Sequence, residues 1–340
     1  MKIEVYSPTI RRKEMDAVLT VMIEDRIGPG EHTRFLVSTA KEQLGFDFCL
    51  ALRSPAVALQ LALEAIGAER GRGVLISALS PVYYERVLRS MGLVPVYCDT
   101  ASDLPLMPQS KIEALMSSRP LCMVFHETLG YTGEKNYAEL LGIPVIVDTS
   151  QSFGSAADGK AAGAAGNLVI LGLEERDMIT AGGGALLYAH SRRDASPLRA
   201  LGELPPEYAL PDLNAAMAAV QFRESGKNLE KRREIAGVYT KASQRTRHKR
   251  FVQNGEFEYN NYVFSLMIET GAKDVKAYAK RKDIVVEEAF DLTLSGSGVI
   301  PSAQCPNASS LALRTLLFPL YPRLGSSRAE KVAKLITTLP

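Results

Sequence analysis

Between residues 74 and 188 short apolar runs alternate with segments of helical spacing, a rhythm that few folds accommodate. The runs at 74–77, 94–99, 121–126, 145–148, 168–171 and 184–188 are too short for buried helices and read as strands. Between them, 82–91, 110–118 and 138–141 read as helices. Strands that are apolar on both faces and joined through helices predict a mainly parallel sheet covered on both sides, an α/β fold.

The flanks extend this frame. Residues 10–26 place Met15, Val18, Leu19, Met22 and Ile23 at helical spacing and stop at Gly28-Pro29-Gly30. A second helix fits 33–44 before Gly45, and a strong helix former occupies 56–66 before Gly67. From 211 to about 250 the chain is helical and charge-rich, with a bend or break expected near Gly226. A smaller α+β unit follows: strand 262–268, helix 274–282 and strand 284–287, then a Ser/Gly/Pro loop at 295–307. An apolar stretch at 311–317, the turn Phe318-Pro319-Leu320-Tyr321-Pro322 and a last helix near 326–337 complete it. This predicts a large domain over 1–225 and a smaller C-terminal domain over 226–340.

Charge and cysteine use narrow the function. Lys+Arg number 40 against Asp+Glu 38, a net charge of +2, which excludes the basic footprint of a dedicated nucleic-acid binder. The basic run at Arg245, Arg247, His248, Lys249 and Arg250 is preceded by Glu224, Glu230 and Glu234, as on a solvated helix face. No apolar run reaches the roughly 20 residues of a membrane span. Arg11, Arg12 and Lys13 precede any long apolar run, so no signal peptide is expected, and the chain reads as cytoplasmic. Cys49, Cys98, Cys122 and Cys305 lie far apart and read as buried thiols rather than zinc ligands or disulfides.

Ligands in such sheets bind beyond the strand ends. Val145-Ile146-Val147 leads into Asp148, then Gln151 and Gly154; Met123-Val124-Phe125 leads into His126. A carboxylate there can hold a heterocyclic N–H⁺ or cap a turn, and His126 can contact a ligand or be a satisfied core residue.

A set of short motifs runs the length of the chain. Ile27-Gly28-Pro29-Gly30 comes first, then Ala58-Leu59-Gln60-Leu61-Ala62-Leu63 and Pro95-Val96-Tyr97-Cys98-Asp99. Val147-Asp148-Thr149-Ser150-Gln151-Ser152-Phe153-Gly154 and Thr180-Ala181-Gly182-Gly183-Gly184 follow. Leu213-Asn214-Ala215-Ala216-Met217, Lys231-Arg232-Arg233-Glu234-Ile235-Ala236 and Leu317-Phe318-Pro319-Leu320-Tyr321-Pro322-Arg323-Leu324 close the series. In number and order these resemble the DegT/DnrJ/StrS family of nucleotide-sugar aminotransferases over nearly the full chain. The resemblance implies the fold-type-I aminotransferase scaffold, pyridoxal phosphate (PLP) as cofactor, and active sites at a homodimer interface that includes the 213–217 segment. It makes Asp148, Gln151, Ser54 and Ala56 cofactor-pocket positions and places His126 on the pocket floor.

The same resemblance marks departures. The family's Schiff-base lysine falls on Arg176, seven residues before Gly183 and 28 after Asp148. Arginine forms no aldimine and does not deprotonate near neutral pH. Ser54-Pro55-Ala56 stands for the Ser-Gly-Thr phosphate loop, and the strand at 168–171 lacks a phosphate-binding serine. Pro81 replaces the aromatic that stacks on the cofactor, with Tyr83 or Tyr84 as substitutes from the next turn, and Gly182 replaces a glutamate. These departures predict no lysine-dependent transamination. Three readings stay open: a divergent member in sugar or secondary-metabolite biosynthesis that binds a small anionic or nucleotide-sugar-like ligand; a silent partner of an active paralogue; and an enzyme holding PLP or pyridoxamine phosphate (PMP) non-covalently. Arg176 is expected to join Asp148 and His126 in one polar network, directly or through a water or small anion.

Overall fold

The structure, a computed structural model, describes residues 2–133 and 137–340. Helices α1 (Arg12–Ile23) and α2 (Glu31–Leu44) flank the Gly28-Pro29-Gly30 turn. Helix α2 stops where Gly45 takes a left-handed φ of 62°, a conformation glycine adopts without strain. Strand β1 (Phe48–Leu52) leads through Ser54 into α3 (Pro55–Ala65). Ser54 Oγ accepts the Val57 N–H at 3.3 Å, and Pro55 occupies the first helical position, where its missing donor is no loss.

Alternation then sets in as the spacing predicts: β2 (Gly73–Ser77), α4 (Val82–Ser90), β3 (Val94–Cys98), α5 (Gln109–Leu115), β4 (Cys122–His126), α6 (Tyr137–Leu141) and β5 (Val145–Asp148). Strands β6 (Leu168–Gly172) and β7 (Ala185–Ala189) and helix α7 (Arg192–Ala200) follow. Among the described residues these strands form a seven-stranded sheet in the order β1-β7-β6-β5-β4-β2-β3. Strands β2 to β6 run parallel, while β7 is antiparallel to both β6 and β1. The β4–β5 register sets His126 directly opposite Asp148.

Helix α8 (Asp212–Ser243) is continuous, so the break expected at Gly226 does not occur. A helical glycine costs only about 1 kcal/mol relative to alanine, and burial of Ala219, Phe222, Ile235 and Tyr239 along α8 outweighs it. Asp212 ties the start of α8 to the Gly-Pro turn by accepting N–H bonds from Gly30, His32 and Thr33 at 2.8–3.1 Å.

The remainder comprises β8 (Phe264–Met267), α9 (Ala272–Lys280), β9 (Glu287–Glu288), α10 (Pro306–Arg314), β10 (Thr315–Phe318) and α11 (Ser326–Thr337). Strands β8 and β9 both pair antiparallel with β10. The strand expected at 284–287 shrinks to β9, because Ile284 instead bridges Ile3 near the N-terminus. The apolar stretch 311–317 divides between α10 and β10. Two apolar cores result, one around the seven-stranded sheet and one joining Ile3, Ile235, Tyr239, Phe264 and Val332. Residue 225 therefore lies inside α8, which contributes to both cores. Among the described residues no helix is long and apolar enough to cross a membrane.

Candidate functional site

Asp148 ends β5 at 1 % exposure, where a bare carboxylate would be costly. Four donors meet it. Ser150 gives Oδ1 both its N–H, at 2.9 Å, and its hydroxyl. Tyr84 and Tyr83, from the first turn of α4, give Oδ2 their hydroxyls at 2.7 and 3.2 Å. A carboxylate offers about four lone-pair sites, so Asp148 is saturated. Burial acts to raise its pKa, but His126, Ser150 and Tyr84 outweigh that and hold it at about 2. Burial, reinforced by the Asp148 charge, drives both tyrosines well above their usual range, so both stay protonated donors.

The expected neighbours are only partly assembled. His126 lies beside Asp148, with Nδ1 3.7 Å from Oδ2, an ion-pair distance rather than a hydrogen bond. Gln151 turns its Oε1 to the Leu129 N–H at 2.6 Å. Arg176 departs from expectation. Its guanidinium pairs with Glu287 at 2.9 Å and lies 4.5 Å over the Tyr6 ring, half-exposed. Among the described residues no hydrogen bond or ion pair joins it to Asp148 or His126. The reason is energetic: Asp148 already has its donors, whereas Glu287 at the rim offers a carboxylate while leaving the guanidinium half-exposed.

A cavity of about 400 Å³ opens above this floor, between the ends of β4 and β5 and the 287–293 segment. His126, Gln151, Arg176 and Asp177 line it; Asp148, Ser54 and Ala56 do not. Ser54 and Ala56 lie instead at the start of α3, whose first turn Ser54 itself caps. No lysine lines the cavity among the described residues. The same residues show no grouping of three or more His, Cys, Asp or Glu able to hold a metal ion.

Two acids near the floor escaped sequence reasoning. Asp177 accepts the Glu174 N–H at 2.8 Å, and burial followed by the charges of Asp148 and Glu174 raises it well above the usual range. It approaches the end of β6 so closely that a Cβ on Gly172 would meet its Oδ2 at 2.3 Å. Glu127, 2 % exposed, accepts the Ser152 hydroxyl and the Gly163 N–H, and burial lifts it to about 7. Tyr83 and Tyr84 were visible in sequence as aromatics near a ring site; their place as hydroxyl donors to Asp148 was not.

This architecture has known counterparts. The model of the DegT/DnrJ/EryC1/StrS aminotransferase family matches residues 8–337. The L-glutamine:2-deoxy-scyllo-inosose aminotransferase of Streptomyces fradiae is 27% identical over 205 residues, 58% of this chain and 47% of that protein, so the match spans about half of that relative. The dTDP-4-dehydro-2,3,6-trideoxy-D-glucose 4-aminotransferase of Saccharopolyspora spinosa is 23% identical over 379 aligned positions, covering 97% of this chain and 95% of the other. The crystal structure of the aminotransferase TlmJ from Streptoalloteichus hindustanus is similar at a TM-score of 0.90 and 20% identity, covering 99% and 98% of the two chains. The PMP form of the sugar aminotransferase Spr1654 from Streptococcus pneumoniae is similar at 0.88 and 15% identity, covering 99% and 97%. The fold is thus the aminotransferase fold with its α/β sheet, and the chain belongs to the DegT/DnrJ/EryC1/StrS aminotransferase family.

Proposed function

We propose that this chain acts in sugar or secondary-metabolite biosynthesis but does not carry out lysine-dependent transamination. The observation that carries this reading is the saturation of Asp148 by Tyr83, Tyr84 and Ser150. A pyridinium nitrogen would need a free acceptor on that carboxylate, and a Schiff base would need a lysine where Arg176 stands. The start of α3, which would receive the phosphate, is closed by the Ser54 cap and by Pro55, which has no N–H to offer. These residues do not fit PLP held covalently, and they leave a non-covalent cofactor without its ring anchor. Absorbance spectra of the purified protein with and without added PLP test this. No protonated-aldimine band is expected; a band fixed by borohydride onto a lysine, located by mass spectrometry, would overturn the reading. Arg176→Lys alone is expected to create no transaminase activity, because Tyr83, Tyr84 and Pro55 remain.

The reading includes association with a second chain, a copy or a paralogue. Supporting it is one apolar face of α1, where Met15, Leu19, Met22 and Ile23 are 53–75 % exposed. The 213–217 segment, expected at such an interface, is largely covered within the chain: Ala215 and Ala216 are buried, and Asn214 donates to the Ala181 carbonyl at 2.8 Å. Light scattering of the wild type and of Leu19→Glu/Ile23→Glu checks the α1 face. A wild-type monomer at micromolar concentration, with no paralogue recovered from cells, would end the idea.

A further inference from the structure

Where α8 passes from one apolar core to the other, it buries a guanidinium. Arg232 follows Phe222 of the sheet core and precedes Ile235 of the second core, and it is 8 % exposed. Its Nη1 donates to the carbonyls of Asn261, Tyr262 and Leu320 at 2.8–3.3 Å, which clamps α8 to the chain entering β8 and to the turn after β10. Among the described residues its Nε and Nη2 have no hydrogen-bond partner, and no carboxylate pairs with it. Burial pulls its pKa down to about 10, opposed only by Tyr262, Tyr6 and Tyr259. Carbonyl dipoles fill hydrogen bonds without cancelling the charge, and a buried cation left without a counter-charge is strongly destabilising.

Asn228 precedes Arg232 by one helical turn, on the same face of α8, and is 7 % exposed. Its Oδ1 accepts from Arg11 Nη2 at 3.1 Å, which leaves its Nδ2 amide without an acceptor among the described residues. Arg232 and Asn228 line a cavity of about 20 Å³, room for one water-sized species. Glu175 and Asp177 also border it; Glu175 is exposed, and burial raises Asp177 well above the usual range, which favours its neutral form. We propose that this cavity holds one monatomic anion, chloride in ordinary buffers, between the Arg232 guanidinium and the Asn228 amide. The ion supplies the charge that the surrounding carbonyls cannot, and it accepts from donors that are otherwise unmet. A water would accept from the same donors but carry no charge, and a polyatomic anion has no room. The site thereby stabilises the joint between the two cores, and it does not depend on what the larger cavity binds.

Melting curves of the full chain, with sodium gluconate replaced stepwise by sodium chloride or bromide at constant ionic strength, test the proposal. Gluconate is too large for the cavity. The melting temperature is expected to rise by about 2 °C for each tenfold increase in halide above half-saturation. Crystals grown in bromide should show an anomalous peak beside Arg232 and Asn228. Asn228→Asp places a carboxylate one turn from Arg232 while keeping an acceptor for Arg11. That variant should melt in gluconate as the wild type does in chloride, and it should lose the halide response. Equal melting in chloride and gluconate would overturn the proposal, as would a water instead of bromide beside Arg232. A halide response that Asn228→Asp retains in full would mark a general salt effect and overturn it equally.

Discussion

The buried layer beneath the cavity, called its floor here, and the cavity's mouth both centre on a carboxylate, and they neutralise it by different means. At the floor Asp148 is buried and is met by four hydroxyl and amide donors without a full hydrogen bond to any cation. At the mouth Glu287 is paired with a half-exposed arginine that also stacks on Tyr6. The difference follows from solvent. Bringing a guanidinium to the floor would require stripping its water, whereas neutral hydroxyls are cheap to bury once bonded. The buried carboxylate is thus held by neutral donors, and the one at the rim by a charge that keeps part of its water.

The comparison is most exposed to Asp148→Ala. Removing the acceptor leaves Tyr83, Tyr84 and Ser150 with unmet donors, and a loss of about 3–5 kcal/mol in denaturant unfolding is expected. A loss below about 1 kcal/mol would show that these donors find other partners.

Glu127 sharpens the contrast, because it is buried nearby with fewer donors and shifts the opposite way. Its folded pKa of about 7 lies above its ordinary 4.5, so between those values the native state holds the extra proton. Stability should therefore fall as pH rises from 4.5 to about 7, by about 3 kcal/mol in all, and Glu127→Gln should flatten that slope in melting curves. Asp148 acts in reverse: its contribution is full above its ordinary 3.8 and fades as pH falls through about 2. An unchanged slope in the glutamine variant would mean that the Ser152 and Gly163 donors already compensate the buried charge.

Smaller effects follow. Tyr84→Phe removes one charge-assisted bond from Asp148 and should lose about 1.5–3 kcal/mol. Arg176→Ala breaks a pair that is half in water and should change stability by less than about 1 kcal/mol. If the arginine change proved the larger of the two, mouth and floor would have to exchange their assigned weights.

Much of the frame was readable before the structure, but not all for one reason. His126 and Asp148 end successive parallel strands of similar length, so their adjacency follows from register alone. The last helix and the Gly45 stop are local signals and fall where expected. Gly226 misled because its helical penalty is small and the burial around α8 is contributed by segments far away in sequence. The small residues at 213–217 suited close helix approach, and that approach is satisfied inside the chain. Ser54, a phosphate-loop position by resemblance, caps α3 by accepting the Val57 N–H, a local role that its place before Pro55 makes readable.

What the sequence by itself determined is the alternation of strand and helix, the mainly parallel sheet, and the strand-end positions of the site's carboxylate and imidazole. Hydrophobic periodicity averages over many residues, so no single contact can reverse it. Only the tertiary structure decided where Arg176 points. That choice turns on Glu287, 111 residues further along, and on tyrosine hydroxyls that had already filled Asp148. The direction of one side chain depends on a few distant donors and acceptors and on how much water each retains, which no local pattern encodes.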